Sequence, residues 1–552
     1  MEGDTVNIGI NTYTPRYFTP GRLFSRLDWD WESGASADGI WDNANGTAPV
    51  TVDGNGLPQA VSGSRSYTET WSQRSIGTNW PVGAYTVRWK GPGHPSLCDG
   101  HNGHPWPISA AGVQDGWNYQ TVPVGPATTS GLVLRVAPPV SGLEVLFPGE
   151  TGRWSKDWAF GPFGSLRFMD AGQTNGSRLT DSGDFKPATF FSDGQRTITR
   201  QGTITAAVAS TSVFLGGACW LVTHDAPGDP FRTGHRTNLD RIERVSPSQF
   251  KVVTATAPSG SVSVKITTAM RWEAMAQTAN RFGQDMHLCV PHLLTDEAVR
   301  ELALRIALAL APGRRCRVEY SNECWNSGTF EQAIYCLMQG RATGLPGTGL
   351  AQQLGWYAQR AAQVHGIFAR VFAECGRSGD LIRVLGGWAG GGASNARLAL
   401  SAYQGAYGSL PDEWAIAPYS GSRVDDPAMT PDQVFAMLTT ALQTQTVSYL
   451  QTHAAAVANT GTALTCYEGG PNLWGSQIAT LTAVSRDPRM YALTRAHLDA
   501  AKAAGVTVFH WFAGPASITS SGAFGVQEYS GQPLSQTPRL AALLDEIAGV
   551  GP

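Results

Sequence analysis

The chain has no stretch of about 18 apolar residues, so no helix able to span a bilayer is expected. It has no long run of charge of either sign, with 40 basic residues against 43 acidic ones and a formal net charge of −3. That balance argues against a nucleic-acid or membrane-surface partner, since each calls for a concentrated basic face. No secretory signal opens the chain, because Met1-Glu2-Gly3-Asp4 is acidic and no apolar segment follows. The eight cysteines are scattered without the spacing of a disulfide framework, which leaves most of them reduced. Cys289, Cys316 and Cys466 fall inside strand-like runs, where a small buried thiol packs well.

What the chain does have is length, glycine and aromatics. Its 552 residues suffice for about three domains. Its 64 glycines, beside 18 Trp, 15 Tyr and 20 Phe, suit loop-rich surfaces with aromatic faces, although most of the rings will fill cores.

One stretch organises the rest. A β-prone run from Cys316 to Tyr320 stops at Ser321-Asn322-Glu323-Cys324-Trp325-Asn326, and a helical pattern follows from Thr329 to Gly340. This reads as a parallel strand delivering a carboxylate to the C-terminal mouth of a sheet, where α/β folds bind ligands. Alone, Asn322-Glu323 also reads as a helix cap. A second run, Ala463-Leu464-Thr465-Cys466-Tyr467-Glu468-Gly469-Gly470, again ends in a carboxylate, and its glycines let the backbone turn sharply or a ligand come close. Two strand-end carboxylates facing one pocket are what cleavage of a glycosidic bond requires.

Tyr320-Ser321-Asn322-Glu323-Cys324-Trp325-Asn326 resembles the strand-four signature of clan A glycoside hydrolases, (β/α)8 barrels in which Asn-Glu ends strand four and a second Glu ends strand seven. The resemblance covers the barrel only. It implies a retaining glycosidase with Glu323 as acid/base, Glu468 as nucleophile and Asn322 on the sugar 2-hydroxyl. The interval between the two glutamates leaves room for about three βα units. Arg167 resembles the arginine near the end of strand two, where a cation keeps the nucleophile ionised; a surface pair with Asp170 is the plainer alternative. Tyr419 resembles the strand-six tyrosine that hydrogen-bonds the nucleophile, and Trp511 the strand-eight tryptophan beneath the −1 sugar. Trp325, Trp388 and His292 are placed as subsite lining, with a core role as the alternative for each.

The remaining barrel strands are expected at Val6–Asn11, Gly164–Asp170, Asp285–Pro291, Leu381–Trp388, Glu413–Tyr419 and Val506–Phe512, alternating with helices. Two insertions interrupt them, so that residues 1–27, 151–195 and 271–552 form the (β/α)8 TIM barrel. Residues 28–150 carry period-two runs such as Ala84–Trp89, Gly131–Val136 and Leu143–Phe147, the pattern of an inserted β-sandwich domain. That module either binds carbohydrate, with Trp71, Trp80, Trp89 and Trp106 as stacking faces, or stiffens the barrel. Within it His94, Cys98, His101 and His104 are metal-capable but fit no zinc spacing, and a polar, pH-sensitive loop is the ordinary reading. Residues 196–270 read as a second, small all-β insert, in which Phe231–Arg236 is similar to turns in β-modules of phage tail and surface proteins.

The expected activity is hydrolysis of a poly- or oligosaccharide without metal or cofactor. A non-catalytic polysaccharide-binding adhesin and a transglycosylase are the alternatives. The expected location is outside the cell or on a virion, reached by another route or after loss of a signal, with the cytoplasm left open.

Overall fold

The structure, a computed structural model, describes residues 6–12, 50–52, 58–61, 67–72, 82–99, 103–125, 132–150, 161–172, 174–177, 196–203, 208–212, 219–223, 241–246, 249–253, 261–268 and 272–550. Eight parallel strands close into a barrel in chain order: β1 Asn7–Asn11, β2 Ser165–Arg167, β3 Asp285–Val290, β4 Cys316–Tyr320, β5 Leu381–Gly386, β6 Glu413–Ile416, β7 Ala463–Cys466 and β8 Val508–Trp511. This is the (β/α)8 barrel that the resemblance implies. Strands two, five and six are shorter than their apolar runs. The barrel part of the sixth stops at Ile416, and Tyr419–Arg423 then pairs in parallel with Gly470–Trp474 as a separate two-stranded ribbon.

Helices fill the connections: α1 Trp272–Phe282, α2 Asp296–Ala309, α3 Glu331–Ala342, α4 Leu350–Glu374, α5 Gly392–Tyr407, α6 Pro431–Ala441, α7 Val447–Val457, α8 Ile478–Arg486, α9 Arg489–Ala503 and α10 Pro538–Ile547. Their starts follow local chemistry. Thr295 caps α2 by accepting from the Ala298 N–H, and Thr430 forms a reciprocal capping box with Gln433 ahead of Pro431 in α6. No helix among the described residues is long and apolar enough to cross a membrane.

Strand alternation sends apolar side chains outward and polar ones inward. Leu166, Met286, Leu288, Val318, Trp414, Phe509 and Trp511 are buried on the outer surface of the barrel. The interior carries charge in layers. At the base, Arg317 bridges Asp285 at 3.2 Å and Glu413 at 3.0 Å, and Thr465 donates to Glu413 at 3.4 Å. Above it His510 meets Ser165 at 2.9 Å and lies edge-on to His287. Arg167 and Glu319 form the top layer at 2.8 Å. Such buried pairs stabilise little against an apolar alternative, but losing one partner strands a charge.

The chain divides into two compact units, one of Met1–Tyr13, Ala159–Ser182 and Trp272–Pro552, the other of Thr14–Trp158 and Gly183–Arg271. The second unit is antiparallel. One sheet orders Gly142–Leu146, Gly83–Lys90, Trp117–Val124 and Ala110–Gln114, and another orders Thr68–Ser72, Leu132–Ala137 and His94–Asp99. Residues 196–268 contribute two three-stranded sheets. Trp89 is buried with Tyr85 and Val87 on one face of its strand, so it offers no stacking surface, and Trp106 is half-buried. Trp80, His101 and Phe231–Arg236 lie outside the described residues. His94 and His104 are exposed while Cys98 is buried, and among the described residues this run brings no three metal-binding atoms together.

Candidate active site

Arg167 ends β2 with its guanidinium fully buried in the barrel mouth. One nitrogen, Nη1, donates to Glu468 Oε1 at 2.7 Å and to Asn11 Oδ1 at 2.9 Å. Nη2 donates to Asn322 Oδ1 at 2.8 Å and to Glu319 Oε2 at 2.8 Å. The arginine is therefore not the surface partner of Asp170 but the hub that ties the ends of β4 and β7 together. Its guanidinium also lies 4.9 Å from the ring centre of Tyr467.

Glu468 is buried just beyond β7. Its second oxygen, Oε2, accepts from the Tyr419 hydroxyl at 2.8 Å. Burial raises the carboxyl above the usual range, and Arg167 and Tyr419 offset only part of that rise. Tyr419 is set by the ribbon after β6, and its carbonyl accepts from Thr446 in the π-turn Leu442–Thr446 between α6 and α7 at 3.0 Å. The two glycines after Glu468 make way for aromatic rings rather than for a ligand. A Cβ at Gly469 would stand 2.5 Å from Phe509, and one at Gly470 would stand 2.8 Å from Trp511.

Glu323 follows β4 on a loop where Ser321 and Glu323 both have positive φ, 59° and 44°. Non-glycine residues adopt this region at a cost, and such outliers cluster at working sites. The loop is pinned from two helices. Gln332 of α3 donates to the Asn322 carbonyl at 2.8 Å, and Gln353 of α4 donates to the Cys324 carbonyl at 2.7 Å. Burial, then the neighbouring Glu468, pushes the Glu323 carboxyl up to about 8, against a hydrogen bond from Asn326 at 2.9 Å. The stronger donors sit on Glu468, so at neutral pH the shared proton belongs on Glu323. Asn322 Nδ2 donates to Asn175 at 3.0 Å, which leaves its second N–H for a ligand.

Other expected positions fall around this centre in different ways. Trp325 donates to the Tyr467 hydroxyl at 3.3 Å and stacks on Trp388 at 5.6 Å, with planes 10° apart. Trp388 is 42% exposed. His292 is buried beyond β3, edge-on to Tyr335 at 5.3 Å. Trp511 departs from its expected place. It is fully buried against Phe509 and His497 of α9, because His510 points inward and the next residue must point out. Phe512, one residue on and half-buried, meets Tyr419 edge-on at 6.4 Å.

Glu319, Asn11, Asn175, Gln332, Gln353 and Phe512 have no counterpart among the expected residues. The signal for Glu319 was its two-residue offset from Arg317 in a buried strand, which puts both side chains inside the barrel. His287, Cys289 and Glu319 also bring metal-capable atoms together. The Arg167 guanidinium already occupies the carboxylate, however, and its charge opposes a cation there.

No family model and no curated protein matches the chain. Among solved structures the chain is similar to a Bacteroidetes-affiliated GH5 cellulase at 12% identity, covering 50% of this chain and 73% of that one with a TM-score of 0.29. It is similar to a β-glucosidase from Thermotoga maritima at 12% identity, over 51% and 78% of the two chains, with a TM-score of 0.31. It is also similar to endo-1,4-β-D-xylanase 10B from Clostridium thermocellum at 10% identity, over 96% and 98%, with a TM-score of 0.36.

Proposed function

We propose that this chain is a retaining glycoside hydrolase acting on a poly- or oligosaccharide. The observation that carries the reading is Arg167, which holds Glu468 at 2.7 Å and Asn322 at 2.8 Å while Tyr419 donates to the other Glu468 oxygen. A carboxylate so held is oriented and kept anionic as a nucleophile, whereas Glu323, with its raised carboxyl, keeps a proton to give. Glu468 attacks the anomeric carbon as Glu323 protonates the leaving oxygen, giving a glycosyl-enzyme. Glu323, now a carboxylate, then takes a proton from the water that displaces Glu468. The free N–H of Asn322 is available to the sugar 2-hydroxyl, and Phe512 stands beside Tyr419 where Trp511 was expected.

A panel of polysaccharides and aryl glycosides, followed by proton NMR of the first-formed product, tests the reading. The expected product keeps its anomeric configuration. Glu468→Ala should remove turnover with the fold intact, and azide should restore cleavage with inversion. Binding of a polysaccharide without any turnover would favour the adhesin instead.

A further inference from the structure

Glu319 plays no part in the steps above, yet it is tightly engaged. It is buried in β4 with its Oε2 accepting from Arg167 Nε at 3.2 Å and Nη2 at 2.8 Å, His287 Nε2 at 3.0 Å and Cys289 Sγ at 3.5 Å. Burial, then Arg167 and Arg317, holds His287 well below its usual range, so it is neutral and must place its proton on Nε2 to donate to this carboxylate. The Cys289 thiol is pushed well up, chiefly by burial, and stays an S–H donor. Room for Oε1 comes from Gly386, where a Cβ would stand 3.0 Å away.

We propose, on the glycosidase reading, that Glu319 is a positioning residue: fixed by His287 and Cys289, it grips one edge of the Arg167 guanidinium and so aims the other edge at Glu468 and Asn322. A guanidinium is a planar fork, and a carboxylate on the Nε and Nη2 side sets its plane. With that side released, Arg167 can rotate, and Nη1 loses its line to Glu468. The grip also has an electrostatic side. Glu319 adds negative charge beside both working carboxyls, which raises them further. Arg167 on β2 and His287 and Cys289 on β3 touch it, and its charge also reaches Glu323 and Cys324 after β4, Tyr357 and His365 on α4, and Tyr467 and Glu468 after β7. Replacing Glu319 by a neutral group of equal size therefore lets Glu323 release its proton at lower pH.

Two measurements test this. In a crystal structure of the Glu319→Ala protein, the Arg167 guanidinium should have turned away from Glu468; the contact persisting at 2.7 Å would overturn the proposal. In the pH profile on an unsubstituted phenyl glycoside of the sugar the unaltered protein cleaves fastest, a poor leaving group that needs the acid, Glu319→Gln should move the alkaline limb to lower pH. Glu319→Ala should lose about 10²-fold in kcat/KM, the scale of a displacement near 1 Å. An unchanged profile beside a lowered melting temperature would mean that Glu319 only supports the fold. If Glu319→Ala does not fold, Glu319→Leu, which fills the space but offers no acceptor, takes its place in the crystal. Retained activity in Glu468→Ala would instead overturn the glycosidase reading, and the crystallographic outcome stands apart from that.

Discussion

Glu323 holds a proton in the folded chain that it would release when unfolded. Its carboxyl titrates at about 8 in the site, against an ordinary value of about 4.3. Between those values the native state binds the extra proton, so folding stability falls as pH rises through the window and the penalty is fully present above it. Glu323→Gln should therefore melt higher than the unaltered protein at pH 8 and nearly with it at pH 4, while its turnover of poor leaving groups is lost. In the unaltered protein, turnover should itself decline as pH passes about 8. The two glutamates were legible because a carboxylate at the end of a strand is a local pattern. Trp511 was misplaced because a strand read one residue out of phase turns every side chain to the other face, and only its neighbour His510, paired with Ser165, fixes that phase. Asn175 meets Asn322 and Gln332 across long sequence separations, which no local pattern announces.

Individual elements carry their own constraints. β1 and β8 close the barrel, and Gly9 in β1 faces the His510 ring. A Cβ there would stand 2.4 Å from the imidazole in a fully packed interior. Gly9→Ala should destabilise the barrel by about 1–3 kcal/mol or more, measured by denaturant unfolding. In α4, Gln353→Leu leaves the buried Cys324 carbonyl without its donor, at a cost of about 1–3 kcal/mol. It should also reduce kcat, since that bond holds the loop bearing Glu323. Most strands were readable as short apolar runs bounded by turns. Their ends were not, since Tyr419 continues the apolar run of β6 yet belongs to a ribbon that forms only when it meets Gly470–Trp474.

At the scale of the molecule, residues 196–270 enter between β2 and β3, two adjacent strands paired from Ser165–Asp285 to Arg167–His287. Closing the barrel needs those ends to meet and asks little of the length between them. A chain in which that segment is a short Gly/Ser linker should be soluble and show the barrel's cooperative melting transition. The order of the eight strands followed from the clan A resemblance together with the spacing of the runs, but the polarity of the barrel interior did not, because a charged residue in a short strand reads as solvent-facing. That interior constrains how the protein can change over time. Arg317, Asp285 and Glu413 are mutually dependent, so replacing one leaves the others worse off than replacing all three. Divergence at the base of the barrel is then expected to proceed in concerted jumps, with the trio kept whole in one lineage and exchanged whole in another.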